Sequence, residues 1–347
     1  KALFSERYRN ALNELNGEFV QVSKNPFGVE IPSPSRWGEG LFLGYGKIKG
    51  EIACIHAGPA GTYPLMGKDL LLAFPHLLKR FKHYSFSNLE SAIGFLYKNA
   101  NEEKMEPEEK IWGSAFLSLI HAEYILEMLK IKPHAVLGFC SGETHAILAH
   151  GIWKDLGALR EDIQKKEVFS HELGGDFQVI SNRWGLFSEE QNTLPWQSYR
   201  EFAPKDVVLD AIVHERRVFL TIINAPTDVV ISGDPVACLR VVQALKQKSI
   251  RTLDFNISVH TPEIKDYWEP YWQIHSRETY PNLNIRFYSA YLGDTYVLTQ
   301  EKIADALTGQ IMNCVDFPNL IEKAWEDGIR VFIEHGPHSA CSKWIHQ

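Results

Sequence analysis

The spacing of apolar residues changes several times along the chain, and each change marks an element. Residues 51–58, EIACIHAG, make a strand-like apolar run that breaks into GPAGTYPLMG, a Gly/Pro-rich loop. KDLLLAFPHLLKRF then reads as a helix. After the polar stretch NANEEKMEPEEK, the segment IWGSAFLSLIHAEYILEMLK repeats its apolar residues every three and four positions, the period of a helix with a buried face. Pro133 follows its end. HAVLGFCSGETHAILAHG predicts a short buried strand over 135–137, a tight turn and a helix from about Ser141. VFLTIINAPTDVVISGDP gives two strand-like runs, ACLRVVQALKQKS an amphipathic helix, and RTLDFNISVH another strand. GIRVFIEHGPHSACSKWI supplies a last buried strand and a Gly-Pro turn. The first fifty residues differ: a polar helix, the connection NPFGVEIPSPSRWGEG and an alternating stretch, LFLGYGKIKG, that predicts a hairpin. They read as linker or docking material. Strands with a single helix over 171–260 predict a small α+β insert, and the chain returns to mixed helix and strand from 261.

Composition narrows the class. The 347 residues are 45% hydrophobic and 23% charged, enough for a large buried core. The net charge of -7 and the lack of a Lys/Arg-rich run argue against a nucleic-acid partner. No apolar run is long enough to span a membrane, and the polar start lacks the apolar core of a signal peptide. Five cysteines, an odd number without a C-x-x-C pair, suggest neither a disulfide framework nor a zinc site. The expectation is a cytoplasmic protein without a metal.

The most specific local pattern is Gly138-Phe139-Cys140-Ser141-Gly142, a nucleophile elbow G-x-S-x-G with Cys in the Ser place. The nucleophile of such a turn sits in a strained conformation between strand and helix, and side chains at the flanking positions would clash. The helix that follows aims its N-terminal N–H groups at the site, where they lower a thiol pKa and receive developing charge. On residues alone Cys140 is either this nucleophile or a packed thiol, and Ser141 is the competing nucleophile. A thiol nucleophile needs a base. Of 14 histidines, His260 stands out because it ends the run ISVH just before Thr261-Pro262, at a strand terminus.

The segments around these residues resemble the acyltransferase (malonyl/acyl-CoA:acyl carrier protein transacylase) domains of fatty acid and polyketide synthases, from about residue 51 to 347. GPAGTYPLMGKDL resembles the family's first loop, G-Q-G-S-Q followed by Met and Gly. IKPHAVLGFCSGE resembles the segment ending G-H-S-x-G-E, and INAPTDVVISGDP resembles N-x-P…V-x-S-G. NISVHTPEI resembles the strand ending in the catalytic His, GQIMNCVDF the Gln-bearing segment, and VFIEHGPHSACSKWI the closing E-x-G-P motif. HGIWKD and the Trp-rich middle look most similar to PfaB-like acyltransferases of polyunsaturated fatty acid synthases. The resemblance implies an α/β-hydrolase-like large domain with a parallel central sheet (51–170 and 260–347), a small ferredoxin-like insert (171–259) and a cleft between them, after the 1–50 segment. It implies Cys140 as nucleophile, His260 as general base and Gln310 steadying His260 through its backbone carbonyl. It places the Ser141 N–H in the oxyanion hole and Asn224 near the substrate. The implied substrates are acyl-CoA and a phosphopantetheine thiol, with no permanently bound cofactor; the implied partners are an acyl carrier protein and other synthase domains.

Four positions depart from the pattern. Cys140 replaces Ser, as in fungal starter-unit acyltransferase domains, so the acyl-enzyme would be a thioester. Pro59 stands where the family has a Gln whose N–H is the second oxyanion donor; proline has none, which leaves Ala60 or a weakened hole. Malonyl-specific members carry an Arg about 25 residues after the nucleophile; that place falls on Lys165, which lacks the planar fork for a carboxylate and points to a neutral acyl group. Phe139 replaces the usual His beside the nucleophile and reads as packing beside the substrate. Two other functions stay open: an acyl-thioester hydrolase using the same residues, and a degenerate, non-catalytic scaffold.

Overall fold

In the computed structural model, two sheets draw their strands from opposite kinds of sequence. The structure describes residues 50–77, 105–186, 194–246, 250–281 and 284–347. The helix, connection and hairpin expected before Gly50, and the end of the helix expected over 68–81, lie outside these residues. Gly50–Gln347 form one unit. Its larger sheet has the order β7-β6-β2-β1-β9, from β1 (Glu51–His56), β2 (Ala135–Gly138), β6 (Arg286–Ser289), β7 (Asp294–Tyr296) and β9 (Ile329–His335). All neighbours are parallel except β7, which runs antiparallel along the β6 edge.

The central strands are apolar because both faces are covered. Cys54 and Val136 point into one core with Phe116 and Ile120 of α2 (Pro107–Glu123) and Ile147 of α3 (Gly142–Ala149). Their neighbours Ala53, Ile55, Ala135 and Leu137 enter the other core with Phe317, Leu320 and Ala324 of α10 (Phe317–Glu326). Burial on this scale stabilises at about 25 cal/mol per Å² of apolar surface. The start of α2 is fixed by a capping box: the Glu106 N–H donates to the Glu109 carboxylate at 2.9 Å, with Pro107 in the first turn. The shorter α1 (Lys68–Ala73) covers only the first part of the helix expected there.

The smaller sheet packs one face against two helices, and its strand Asp228–Gly233 is buried throughout. Its order is β3-β5-β4-β8, from β3 (Gln197–Glu201), β4 (Val218–Ala225), β5 (Asp228–Gly233) and β8 (Val315–Asp316). Val218, Val229 and Ile231 pack with Val208 of α6 (Lys205–Ile212) and Val241 of α7 (Pro235–Ala244). Asp234 caps α7 by accepting from the Ala237 N–H at 2.8 Å. β8 pairs parallel with β4, so this sheet takes one strand from beyond residue 260.

RTLDFNISVH is not a strand. Only its first residues pair, and only with β3: Thr252 bridges Tyr199, the Leu253 N–H donates to the Ser198 carbonyl at 3.0 Å and the Arg200 N–H to the Arg251 carbonyl at 2.9 Å. The rest bonds elsewhere: Asn256 Nδ2 donates to the Trp196 carbonyl at 2.8 Å and the Ser258 N–H to the Leu173 carbonyl at 2.7 Å. After Leu253 the segment leaves β3 and crosses to the larger part of the fold, where no strand among the described residues pairs with it. The remaining helices are α4 (Leu156–Lys165), α5 (Gln178–Trp184), α8 (Trp268–His275), α9 (Gln300–Met312) and α11 (Ala340–Ile345). No helix among the described residues is long and apolar enough to cross a membrane.

Candidate active site

The elbow is built by close approach. β2 ends at Gly138 and α3 begins at Gly142. A Cβ on Gly142 would lie 1.9 Å from the His56 carbonyl oxygen, and one on Gly138 would lie 2.0 Å from the Glu143 nitrogen. The two glycines let the turn press against the end of β1. Between them Cys140 has a φ of 56°, a left-handed conformation unusual for a residue with a side chain. Gly142→Ala is therefore expected to destabilise the fold by about 3 kcal/mol, since the clash is with backbone that cannot rotate away. Urea unfolding measures this, and a loss below about 1 kcal/mol would show that the elbow relaxes freely.

Cys140 meets a histidine from 120 residues further along the chain. Its Sγ lies 3.1 Å from Nε2 of His260, and His260 Nδ1 lies 2.9 Å from the Gln310 carbonyl oxygen. A carbonyl only accepts, so Nδ1 carries the proton and Nε2 is left free to take one from the thiol. His260 is also left-handed, with a φ of 62°, and its own N–H and that of Thr261 both donate to the Ile311 carbonyl. The last turn of α9 thus holds the residue by backbone and by ring. Burial pushes the Cys140 thiol up to about 11, opposed by the Ser141 N–H, and pulls His260 down to about 4 against its bond to Gln310. At neutral pH the resting pair is thiol and neutral imidazole.

Ser141 has a partner of its own. Its Oγ lies 3.4 Å from Nε2 of His145, one helical turn on, and His145 Nδ1 lies 3.2 Å from the Ala57 carbonyl. Pro59 and Ala60 open a 3-10 turn, Pro59–Gly61, on the wall of the cleft beside Cys140, with Pro59 buried and Ala60 exposed. Phe139 is buried between Phe317 and Trp344, with ring centroids 5.4 and 4.9 Å away. Asn224 donates to Asp228 at 3.0 Å and is buried behind that carboxylate. Lys165 is not brought to the site: it ends α4 with its side chain 73% exposed, 3.9 Å from Glu161.

Two features were not found from the sequence. Arg200 of β3 reaches the cleft and grips Asp228 through Nε at 2.8 Å and through Nη2, while Trp344 Nε1 donates to the same carboxylate at 3.0 Å. The alternation in QSYRE places Arg200 on one face of β3, but nothing local names its partner. Glu143, in the first turn of α3, is buried and accepts from Gln310 Nε2 at 3.0 Å and from the Ala290 N–H at 3.1 Å. Its signal was the Glu that follows the elbow's last glycine.

Cys140 and His260 stand where two cavities meet. One is a cleft of about 500 Å³ between the two sheets' sides of the fold, walled by Pro59, Phe202, Ile222 and Trp344. The other is a chamber of about 30 Å³, walled by Ile111, Phe169, Ile257, Tyr271, Leu307 and Ile311. Among the described residues no group of three or more His, Cys, Asp or Glu is placed to hold a metal ion.

No protein-family model matches the chain. Solved structures do. The malonyl-CoA:acyl carrier protein transacylase of Xanthomonas oryzae superposes with a TM-score of 0.70 over 86% of this chain and 91% of that one, at 16% identity. The acyltransferase domain from the second module of the salinomycin polyketide synthase gives 0.66 over 86% and 66%, at 18% identity. The chain has the fold of these acyltransferases. It is an α/β fold with mixed sheets. Among curated proteins it is 24% identical, over 232 residues, to a polyunsaturated fatty acid synthase polypeptide of Thraustochytrium sp., covering 63% of this chain and 11% of that protein. It is 21% identical, over 303 residues, to 6-methylsalicylic acid synthase of Penicillium expansum, covering 86% and 16%. The acyltransferase fold seen here thus spans a small part of the length of these relatives.

Proposed function

We propose that the chain is an acyltransferase that takes an acyl group from acyl-CoA or an acyl carrier protein, holds it on Cys140 and passes it to the phosphopantetheine thiol of an acyl carrier protein, in fatty acid or polyketide synthesis. The observation that carries this reading is the 3.1 Å contact of Cys140 with a His260 whose other nitrogen is committed to Gln310, on an acyltransferase fold. As the sulfur attacks the thioester carbonyl, its proton passes to His260 Nε2. The bond to the leaving sulfur then breaks, and His260 returns the proton to that thiolate. The carrier's thiol next gives its proton to His260 and attacks the Cys140 thioester, and Cys140 leaves and is reprotonated. Both bonds exchanged are thioesters, so neither half-reaction is steeply downhill. The Ser141 N–H, at the start of α3, is one oxyanion donor. Pro59 has no N–H to give, which leaves Ala60 for the second.

A neutral acyl group fits best. The small chamber is walled mainly by apolar side chains, without an Arg or Lys, and its volume suits a short acyl group. Arg200 in the cleft is already bound to Asp228 and Lys165 lies on the surface, so neither serves a free carboxylate. The cleft would take the pantetheine arm, with Phe139 and Asn224 acting through packing and through Asp228. We read residues 51–170 and 260–347 as the α/β-hydrolase-like part around the parallel strands. Residues 171–259 are a ferredoxin-like part, a reading supported by the sequence β3-α6-β4-β5-α7 and the Thr252 bridge beside β3. No resident cofactor is needed. The large size of the relatives favours other synthase domains as neighbours, and five free cysteines suit the cytoplasm.

Acetyl-, propionyl- and malonyl-CoA, each incubated with the protein and read by intact mass, test this. Acetyl or propionyl adducts that vanish in Cys140→Ala are expected, with little malonyl adduct. An adduct that survives Cys140→Ala would move the nucleophile to Ser141 and His145. Release of free acid faster than transfer to a carrier would make the protein a hydrolase, and no adduct at all would leave a scaffold.

A further inference from the structure

We propose that Glu143 is a positioning residue for the base: its carboxylate ties the Gln310 side chain to the end of β6, and so fixes the carbonyl that orients His260. The inference rests on the acyltransferase reading of Cys140 and His260. Gln310 is the pivot. Its side-chain amide donates to Glu143 Oε2 at 3.0 Å while its main-chain carbonyl accepts from His260 Nδ1 at 2.9 Å. Glu143 Oε2 also accepts from the N–H of Ala290, the residue after β6, at 3.1 Å. One oxygen therefore joins three elements: α3, which starts at the nucleophile; the β6 edge; and the last turn of α9. Nucleophile and base are 120 residues apart, and this link ties the helix that starts beside Cys140 to the helix whose last turn holds His260.

A carboxylate is an expensive choice for that task. Glu143 is 1% exposed, and among the described residues its Oε1 has no hydrogen-bond partner. An uncharged Gln could accept the same two N–H groups through its single oxygen. What only a carboxylate adds is negative charge, held against the Gln310 amide. That charge favours the imidazolium formed when His260 holds the thiol proton. Burial pushes Glu143 up to about 7, opposed by the Ala290 N–H and by Tyr296 and Ser289. Of the titratable groups packed against it, Tyr296 of β7 is itself held well above its ordinary value by burial and by the Glu143 charge, and stays neutral. His260 lies beyond Gln310, and its own value of about 4 keeps it unprotonated through the neutral range. Glu143 is then the group near His260 whose charge changes there, and acylation rises as it ionises.

Glu143→Gln and Glu143→Ala, each assayed for Cys140 acylation between pH 6 and 8, test the idea. Wild type is expected to show a rise in acylation rate centred near pH 7. Glu143→Gln keeps the geometry and most of the rate at pH 6 but shows a flat profile, with KM for acyl-CoA unchanged. Glu143→Ala loses the tether, and kcat falls about 10²-fold, the effect of a base misplaced by about 1 Å. Should Glu143→Ala not fold, Glu143→Gln still decides. A Glu143→Gln profile that keeps the wild-type inflection would overturn the proposal. If wild-type protein forms no adduct on Cys140, it is instead the acyltransferase reading that fails.

Discussion

Acylation of Cys140 is expected to slow by about 10²–10⁴-fold in His260→Asn, the usual worth of a positioned general base. Asparagine is the apt replacement because His260 is left-handed, a conformation Asn tolerates better than most residues. Its amide can still donate to the Gln310 carbonyl, so the turn at the end of α9 is preserved, but it cannot take the thiol proton. The size of the effect follows from the resting state. With the thiol near about 11 and the imidazole near about 4, no thiolate–imidazolium pair waits in the free enzyme. The proton must move as the sulfur attacks, and without His260 only the small thiolate fraction reacts. Iodoacetamide supplies the control: at pH 7 Cys140 should react no faster than a free thiol, in wild type and variant alike. Rapid-quench mass spectrometry of the acyl-enzyme measures the main effect. A rate within a few-fold of wild type would remove His260 from the mechanism.

The parts of this site legible in the sequence are those set by local geometry. Gly138 and Gly142 flank Cys140 because a side chain at either place would strike the backbone within two elements of the turn, so the pattern is contiguous and readable. The apolar runs of β1, β2 and β9 were readable because strands covered on both faces need little polarity. Residues 254–260 have a strand's composition without a strand's neighbour; pairing is a property of two segments, and one cannot announce it. Lys165 was reached by counting along the chain from the nucleophile. The register of α4, which buries Leu156, Leu159 and Ile163, turns it to solvent instead. The Glu143–Gln310 bond spans 167 positions and Arg200–Asp228 joins two strands of one sheet. Neither leaves a periodic trace.

Acid should unfold this protein well above the pH at which carboxylates usually give way. Five histidines crowd the base of the elbow: His56 at the end of β1, His121 on α2, His145 and His150 on α3, and His335 at the end of β9. The rings of His56 and His335 lie 4.6 Å apart, and Nε2 of His56 is 3.4 Å from Nε2 of His150. Burial holds His121, His145 and His150 near about 4 and His335 near about 3, while His56 is driven well below 6.5 by burial and by the other rings. Folded, these groups are neutral; unfolded, they bind protons below about 6.5. Stability from them is therefore whole above pH 6.5 and is lost as the pH falls from there towards 4. At pH 5 each site favours the unfolded chain by about 2 kcal/mol, and three of them reach about 6 kcal/mol, comparable to the whole margin of many domains. Glu143 and Glu201, lifted to about 7 by burial, take up protons in the folded state and offset part of this, while the remaining histidines add to it. The urea midpoint should hold from pH 8 to 7 and collapse between pH 6 and 5. His150→Phe, which keeps a ring against Phe287 at a site where the centroids are 5.8 Å apart, should make that fall shallower. A midpoint unchanged down to pH 5 would mean that the cluster admits protons while folded. Because β1 carries both His56 and the carbonyl that meets Gly142, protonation here would open the elbow itself, and adduct formation on Cys140 should disappear along the same pH curve as the fold.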